Sequence, residues 1–308
     1  MTSVSEGRIR GSAVPSITPG PLRTALRAED GVRIEAVYEP CTAGGGTVAG
    51  SSFDGTAIVL AHGFTGAVDR PAVRRAAGVF AGRAAVVTFS FRGHGGSGGR
   101  STVGDREVLD LAAAVAWARS LGHRRVVTVG FSMGGSVVLR HAALYRPGPR
   151  GEAAAGGVAE GEAGAGGVAE RERRTGARTE AHADAVVSVS APARWYYRGT
   201  APMRRLHWVV TRPLGRMVGR YGLRTRIDRD EWNPVPLPPV GAVALIAPTP
   251  LLIVHGDRDP YFPLDHPRSL ADAAGDGAEL WLERGMGHAE NAADETLLTR
   301  IADWAVPA

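Results

Sequence analysis

Ser132 is the residue in this chain best placed to act as a nucleophile. It stands in Gly130-Phe131-Ser132-Met133-Gly134-Gly135, after an apolar run at 125–129 and before a helix-forming stretch. With 42 glycines in 308 residues, a lone Gly-x-Ser-x-Gly carries little weight, so its setting decides. Strand, tight turn and helix in that order form a nucleophile elbow, which holds a serine hydroxyl out of the sheet. Small residues two positions either side let strand and helix approach. The N–H of Met133, at the helix start, then faces any oxyanion formed.

A serine nucleophile needs a base, and the base needs a carboxylate to fix its tautomer. Of nine histidines, His141 falls within the helix after Ser132, His123 before a strand, His182 in an insertion and His207 in a basic segment. His288 follows the last apolar run in Arg284-Gly285-Met286-Gly287-His288, a loop from which an imidazole reaches Ser132. The run at 250–254 leads into His255-Gly256-Asp257-Arg258-Asp259-Pro260. Asp257, directly after Gly256, suits a turn. Asp259, further into the loop, is favoured as the partner of His288, with Asp257 as the alternative. Glu290, a further acid, is too close in sequence to His288 to be the first choice. A second oxyanion donor is expected after the run 57–61, where Gly63 permits a sharp turn and the N–H of Phe64 points inward. His62 beside it reads as a turn histidine bonded to backbone, without a proton-transfer role.

These residues require a scaffold that brings strand ends together. Short apolar runs at 57–61, 84–89, 125–129, 185–189, 250–254 and 279–282 suit strands buried on both faces. Helical patterns at 71–81, 106–121, 133–145, 266–274 and 295–305 alternate with them. Such alternation implies right-handed crossovers and a doubly wound, mostly parallel α/β sheet. Alternating stretches around Asp30-Gly31 add an antiparallel N-terminal hairpin at one edge. The expected organisation is a loose tail at 1–21 and one domain over 22–308.

Two segments interrupt the rhythm. Residues 151–160 (GEAAAGGVAE) recur almost unchanged at 161–170, within a low-complexity stretch at 147–184 that lacks large side chains and is expected to be a disordered insertion. Residues 195–236 carry Trp195, Tyr196, Met203 and Trp208 and read as a lid whose apolar side chains contact substrate. From 195 to 230 this segment holds nine arginines against two aspartates. A solvated arginine face is the plain interpretation, and peripheral contact with an anionic substrate or acidic lipid headgroups is the sharper one.

Composition narrows the classes further. Hydrophobic residues make up 44% and charged residues 22%, as in globular proteins. All 36 basic residues are arginine, and the net charge is +5, yet no nucleic-acid-binding signature accompanies them. Cys41 is the only cysteine, which fits a reducing compartment; with no signal-like apolar stretch at the start, a cytoplasmic protein is expected. No apolar run approaches the ~18 residues of a spanning helix. Oligomeric state is not legible.

The motifs LAHGFTG from Leu60, FRGHGGSGG from Phe91, GFSMGG from Gly130, VHGDRDPYFP from Val254 and GMGHAE from Gly285 together resemble the α/β-hydrolase family over about residues 57–305. The short lid is similar to that of monoacylglycerol-lipase-like and serine-aminopeptidase-like members. The resemblance implies a triad of Ser132, Asp259 and His288, an oxyanion hole from the N–H groups of Phe64 and Met133, and acyl transfer to water without metal or organic cofactor. Carboxylic-ester hydrolysis of a small-molecule acyl ester is the first expectation. Amide or peptide hydrolysis and a non-catalytic ligand-binding receptor are the alternatives. The chain departs from the family pattern in the insertion and at Ser90, where such members often carry aspartate. Arg92 and His94 read as loop structure.

Overall fold

The computed structural model describes residues 20–42, 55–146 and 180–307. Eight strands form one sheet: β1 (Leu22–Arg27), β2 (Arg33–Glu39), β3 (Thr56–Ala61), β4 (Ala85–Phe89), β5 (Arg125–Phe131), β6 (Ala185–Val189), β7 (Leu251–Gly256) and β8 (Ala278–Glu283). Their order is β1-β2-β4-β3-β5-β6-β7-β8. The β1–β2 hairpin joins β4 antiparallel, and every later pairing is parallel. The interior strands β3, β4, β6 and β7 are buried at every residue, because helices cover both faces. The edge strand β8 instead mixes partly buried and exposed positions.

The helices are α1 (Pro71–Ala81), α2 (Glu107–Ser120), α3 (Met133–Leu144), α4 (Ala201–Thr211), α5 (Pro213–Tyr221), α6 (Pro239–Val243), α7 (Asp265–Ala274), α8 (Ala289–Ala292) and α9 (Glu295–Ala305). On one face α1 and α9 press Phe80, Leu298 and Ile301 against Ile58, Leu60 and Val129. On the other face α2, α3, α6 and α7 bury Leu111, Leu139, Val243 and Leu270 against Val59, Val87 and Ile253. This is the expected doubly wound arrangement. No helix among the described residues is long and apolar enough to cross a membrane.

Element ends differ from the sequence expectation for identifiable reasons. Pro250 lacks an N–H, so β7 begins at Leu251, while the Pro250 carbonyl still accepts from Val186 N at 2.9 Å. The helices α6 and α8, of five and four residues, are too short to show a period. The repeat at 151–170 lies outside the described residues. At the end of the expected insertion, residues 180–184 instead belong to the domain body. Ala181 and Ala183 are buried there, and Asp184 Oδ2 accepts from Val126 N at 2.7 Å and Arg119 Nη2 at 2.8 Å.

Segment 195–236 lies between β6 and α6 and carries α4 and α5. It is tied to the loop after β4 by a bridge between Ser101 and Ile227 and by Trp232 Nε1, which donates to the Thr102 carbonyl at 2.7 Å. Thr200 anchors the start of α4 by donating its hydroxyl to the Tyr261 carbonyl at 2.9 Å.

Candidate active site

The parallel strands β3, β5, β7 and β8 end along one edge of the sheet, and the chemistry-bearing residues leave from those ends. Ser132 links β5 to α3 with φ 52° and ψ −112°, a conformation costing a non-glycine residue about 1–3 kcal/mol. The surrounding glycines make that turn feasible. A Cβ on Gly130 would lie 2.2 Å from the Gly134 carbonyl oxygen, and one on Gly134 would lie 2.2 Å from the Ala61 carbonyl oxygen.

Ser132 Oγ lies 2.8 Å from His288 Nε2, and His288 Nδ1 lies 2.7 Å from Asp259 Oδ2. With Nδ1–H donating to the carboxylate, Nε2 accepts the serine proton. The Asp259 side chain is fully buried, and burial alone would raise its pKa. The hydrogen bond and charge of His288, with the Phe262 and Tyr261 N–H groups, outweigh that effect and hold the carboxyl below its usual range. Those N–H groups reach Asp259 Oδ1 at 2.8 Å for Tyr261 and 3.1 Å for Phe262. The structure thus brings Asp259, and not Asp257, to the imidazole. Asp257 Oδ1 accepts from Gly285 N at 2.6 Å and braces the turn that leads to His288.

The imidazole is further confined. Its ring stacks near Tyr261, with centroids 4.3 Å apart, and meets Phe262 at 5.6 Å. Ala289, the next residue, has φ 54°, and its N–H donates to the buried Ser190 hydroxyl at 3.1 Å. His255 lies behind the acid, with Nε2 2.8 Å from the Phe262 carbonyl oxygen and 3.7 Å from Asp259 Oδ2.

The loop after β3 is braced on both flanks. His62 Nδ1 donates to the Gly63 carbonyl at 2.7 Å while Nε2 accepts from Phe91 N at 3.0 Å. Burial, with the neighbouring His94, lowers the His62 pKa to about 3, so this ring is neutral. Gly63 N donates to Glu290 Oε1 at 3.1 Å. These bonds leave Phe64 N and Met133 N without a described backbone partner, and both residues line the cavity with Ser132. Glu290 is therefore part of the site, though its closeness in sequence to His288 argued against a role. The four-residue helix α8 turns the chain so that residue 290 faces the β3 loop while residue 288 faces Ser132, which sequence spacing does not reveal.

The departure at position 90 has a structural explanation. Ser90 Oγ accepts from Val68 N at 3.1 Å and donates to Glu35 Oε2 at 3.0 Å, and the same carboxylate accepts from Gly96 N at 2.8 Å. Ser90 and Glu35, on a different strand, together offer this turn a carboxylate. Arg92 is buried between Asp30, at 2.6 Å, and Asp110, at 2.7 Å. His94 Nδ1 donates to the Arg92 carbonyl at 2.9 Å.

A cavity of about 410 Å³ opens above Ser132. Trp195, Tyr196 and Met203 line it, joined by Trp232 and Phe262. Trp195 and Trp232 are tilted against each other with centroids 5.1 Å apart. The expectation for Trp208 is corrected: it does not line the cavity and is 44% exposed. On α4 the cavity-facing stripe runs through Met203, Leu206, His207 and Val210, and position 208 falls off that helical period. Asp228, Asp230 and Glu231 also line the wall, together with Arg194, Arg198, Arg216 and Arg229, so the cavity carries charges of both signs.

Residues 58–297 match the alpha/beta hydrolase family, and the chain belongs to it. Among solved structures, it is similar to an esterase from Pyrococcus furiosus at 18% identity, covering 97% of each chain with a TM-score of 0.62. A Xanthomonas campestris protein described as an α/β serine hydrolase without a lid matches at 16% identity, covering 96% of this chain and 99% of that one, TM-score 0.55. The esterase domain of a Rhodothermus marinus protein matches at 16% identity over 92% of this chain and 95% of that one, TM-score 0.56. No curated protein matches the chain.

Proposed function

We propose that this chain is a serine hydrolase cleaving carboxylic esters through an acyl-enzyme intermediate. The observation that carries the proposal is the unbroken hydrogen-bond chain from Ser132 through His288 to Asp259, opening into a cavity lined largely by apolar and aromatic side chains. In this mechanism Ser132 Oγ attacks the ester carbonyl as His288 Nε2 takes its proton. The N–H groups of Phe64 and Met133 hold the oxyanion. His288 then protonates the departing alcohol and afterwards activates the water that releases the acid. Asp259 keeps Nδ1 protonated and stabilises the imidazolium. Each oxyanion donor is worth on the order of 100-fold in rate. Segment 195–236 acts as a lid, with Trp195, Tyr196 and Met203 against the acyl group. Cys41 fits a reducing compartment, and the cytoplasm is the location we propose.

Asp228, Asp230 and Glu231 stand in the cavity wall beside Arg194, Arg198, Arg216 and Arg229, and a second reading built on those three carboxylates is hydrolysis of an amide or ester whose substrate carries a free amine. The test is turnover of p-nitrophenyl esters from acetate to palmitate, beside aminoacyl p-nitroanilides, by the wild type and folded Ser132→Ala. Ester turnover lost in Ser132→Ala supports the proposal. Turnover of anilides alone transfers it to the amine-bearing substrates. No Ser132-dependent turnover of either leaves the chain a ligand-binding member of its family.

A further inference from the structure

The second helix of segment 195–236, α5, presents its apolar stripe to solvent. Leu214, Met217, Val218 and Tyr221 recur at the spacing that ordinarily faces a core, yet they are 62%, 56%, 45% and 74% exposed. The contact between α5 and α4 is made through another side, by Gly215 and Gly219. A Cβ on Gly215 would lie 2.3 Å from the Trp208 carbonyl oxygen, and one on Gly219 would lie 2.9 Å from Ile227 Cδ1. Trp208 on α4 adds a further exposed ring.

Along these two helices the charge has one sign. From residue 201 to 227 there are seven arginines and no acidic residue. None of the seven forms an ion pair with a described residue. Arg204, Arg216 and Arg226 donate to backbone carbonyls, and Arg216 also lines the cavity, whereas the side chains of Arg205, Arg212, Arg220 and Arg224 are exposed. The Arg220 guanidinium lies 5.6 Å from the Tyr221 ring centroid.

We propose that this outward face of α4 and α5 docks on an anionic lipid surface. A short amphipathic helix with large apolar residues on one stripe and arginines beside it lies in the plane of an interface, apolar side down. Its cations meet acidic headgroups. Charge decides among the occupants. A second copy of the chain would set one arginine cluster against another. A nucleic acid would satisfy the arginines but leave Leu214, Met217 and Val218 without a use. Lipid satisfies both. The inner side of α4 lines the cavity above Ser132, so docking would set one wall of that cavity against the bilayer. The proposal does not depend on the chemistry at Ser132.

Vesicle flotation of the full chain, with phosphatidylcholine alone or mixed with phosphatidylglycerol, tests it directly. The protein is expected to float with the mixed vesicles, weakly with neutral ones, and to be released by raised salt. The Leu214→Ser/Met217→Ser/Tyr221→Ser variant is expected to lose at least about tenfold in binding. Arg212→Ser/Arg220→Ser/Arg224→Ser is expected to lose on the order of 100-fold, at about fivefold per arginine. Unchanged thermal midpoints establish that both variants are folded, and Arg212→Lys/Arg220→Lys/Arg224→Lys serves if serine unfolds the chain, since it is expected to retain binding. No flotation, or flotation equal in wild type and both variants, overturns the proposal. So does a dimer in solution that the apolar variant dissociates, or oligonucleotide binding that the apolar variant leaves intact while vesicles are ignored.

Discussion

Lowering the pH from 7 to 5 is expected to cost the fold about 4 kcal/mol through His62 and His141, offset in part by Asp110, whose carboxyl burial raises to about 7. Both are fully buried, and burial is the main cause that takes each from an ordinary 6.5 to about 3. A second proton on His62 would also remove Nε2 as the acceptor for Phe91 N, and His141 lies stacked on Tyr145 with centroids 4.6 Å apart. Between pH 6.5 and 3 the unfolded chain carries the extra proton and the folded chain does not. Stability is therefore complete above the unfolded pKa and falls as pH falls through it. At pH 5 each unfolded imidazole is about 1.5 pH units below its pKa, which costs about 2 kcal/mol per histidine at about 1.36 kcal/mol per unit. His266, lowered to about 4, and His94, also lowered by burial, act in the same direction. Such a loss is a large share of the ~5–15 kcal/mol typical of a folded domain. Urea unfolding followed by tryptophan fluorescence at pH 7 and pH 5 reads it directly, with His141→Leu expected to reduce the pH-dependent loss by about 2 kcal/mol. An identical loss in His141→Leu would refute the assignment of neutral buried imidazoles.

Three substitutions probe the site and its supports. Asp259→Asn keeps the shape but puts the wrong tautomer on His288, and kcat is expected to fall by about 10⁴ with the melting temperature little changed; a loss under tenfold would return the role to another acid. Glu290→Ala strands the Gly63 N–H, which costs about 1–3 kcal/mol, and is expected to lower kcat about tenfold or more through the loop carrying Phe64, with KM nearly constant. A rise in KM alone would contradict that. Arg92→Met leaves the buried Asp110 without its cation, and a stability loss of about 3–5 kcal/mol is expected in urea unfolding.

The alternation of buried runs and helical periods made the sheet legible, because strands covered on both faces must be apolar throughout, as β3 and β7 are. Ser132, Asp259 and His288, which we propose as the triad, were legible for a related reason: each follows the carboxyl end of an apolar run. What spacing conceals is convergence from distant parts of the chain. Glu290 meets Gly63 only because α8 turns the backbone, and Glu35 supports Ser90 only because β2 lies beside β4. The composition of 195–236 revealed a basic, aromatic segment. It did not reveal which side each residue faces, so Trp208 was expected inside, and the carboxylates at 228, 230 and 231 were not expected there.

The central claim is that Ser132 attacks an acyl carbonyl with His288 as its base. Intact-mass spectrometry after exposure to a fluorophosphonate ester tests it most directly, because the reagent traps an activated serine without requiring the natural substrate. A single adduct that peptide mapping places on Ser132, absent from folded Ser132→Ala and slowed by orders of magnitude in His288→Ala, is the result expected. A chain that stays unmodified, or one labelled equally in Ser132→Ala, would contradict it.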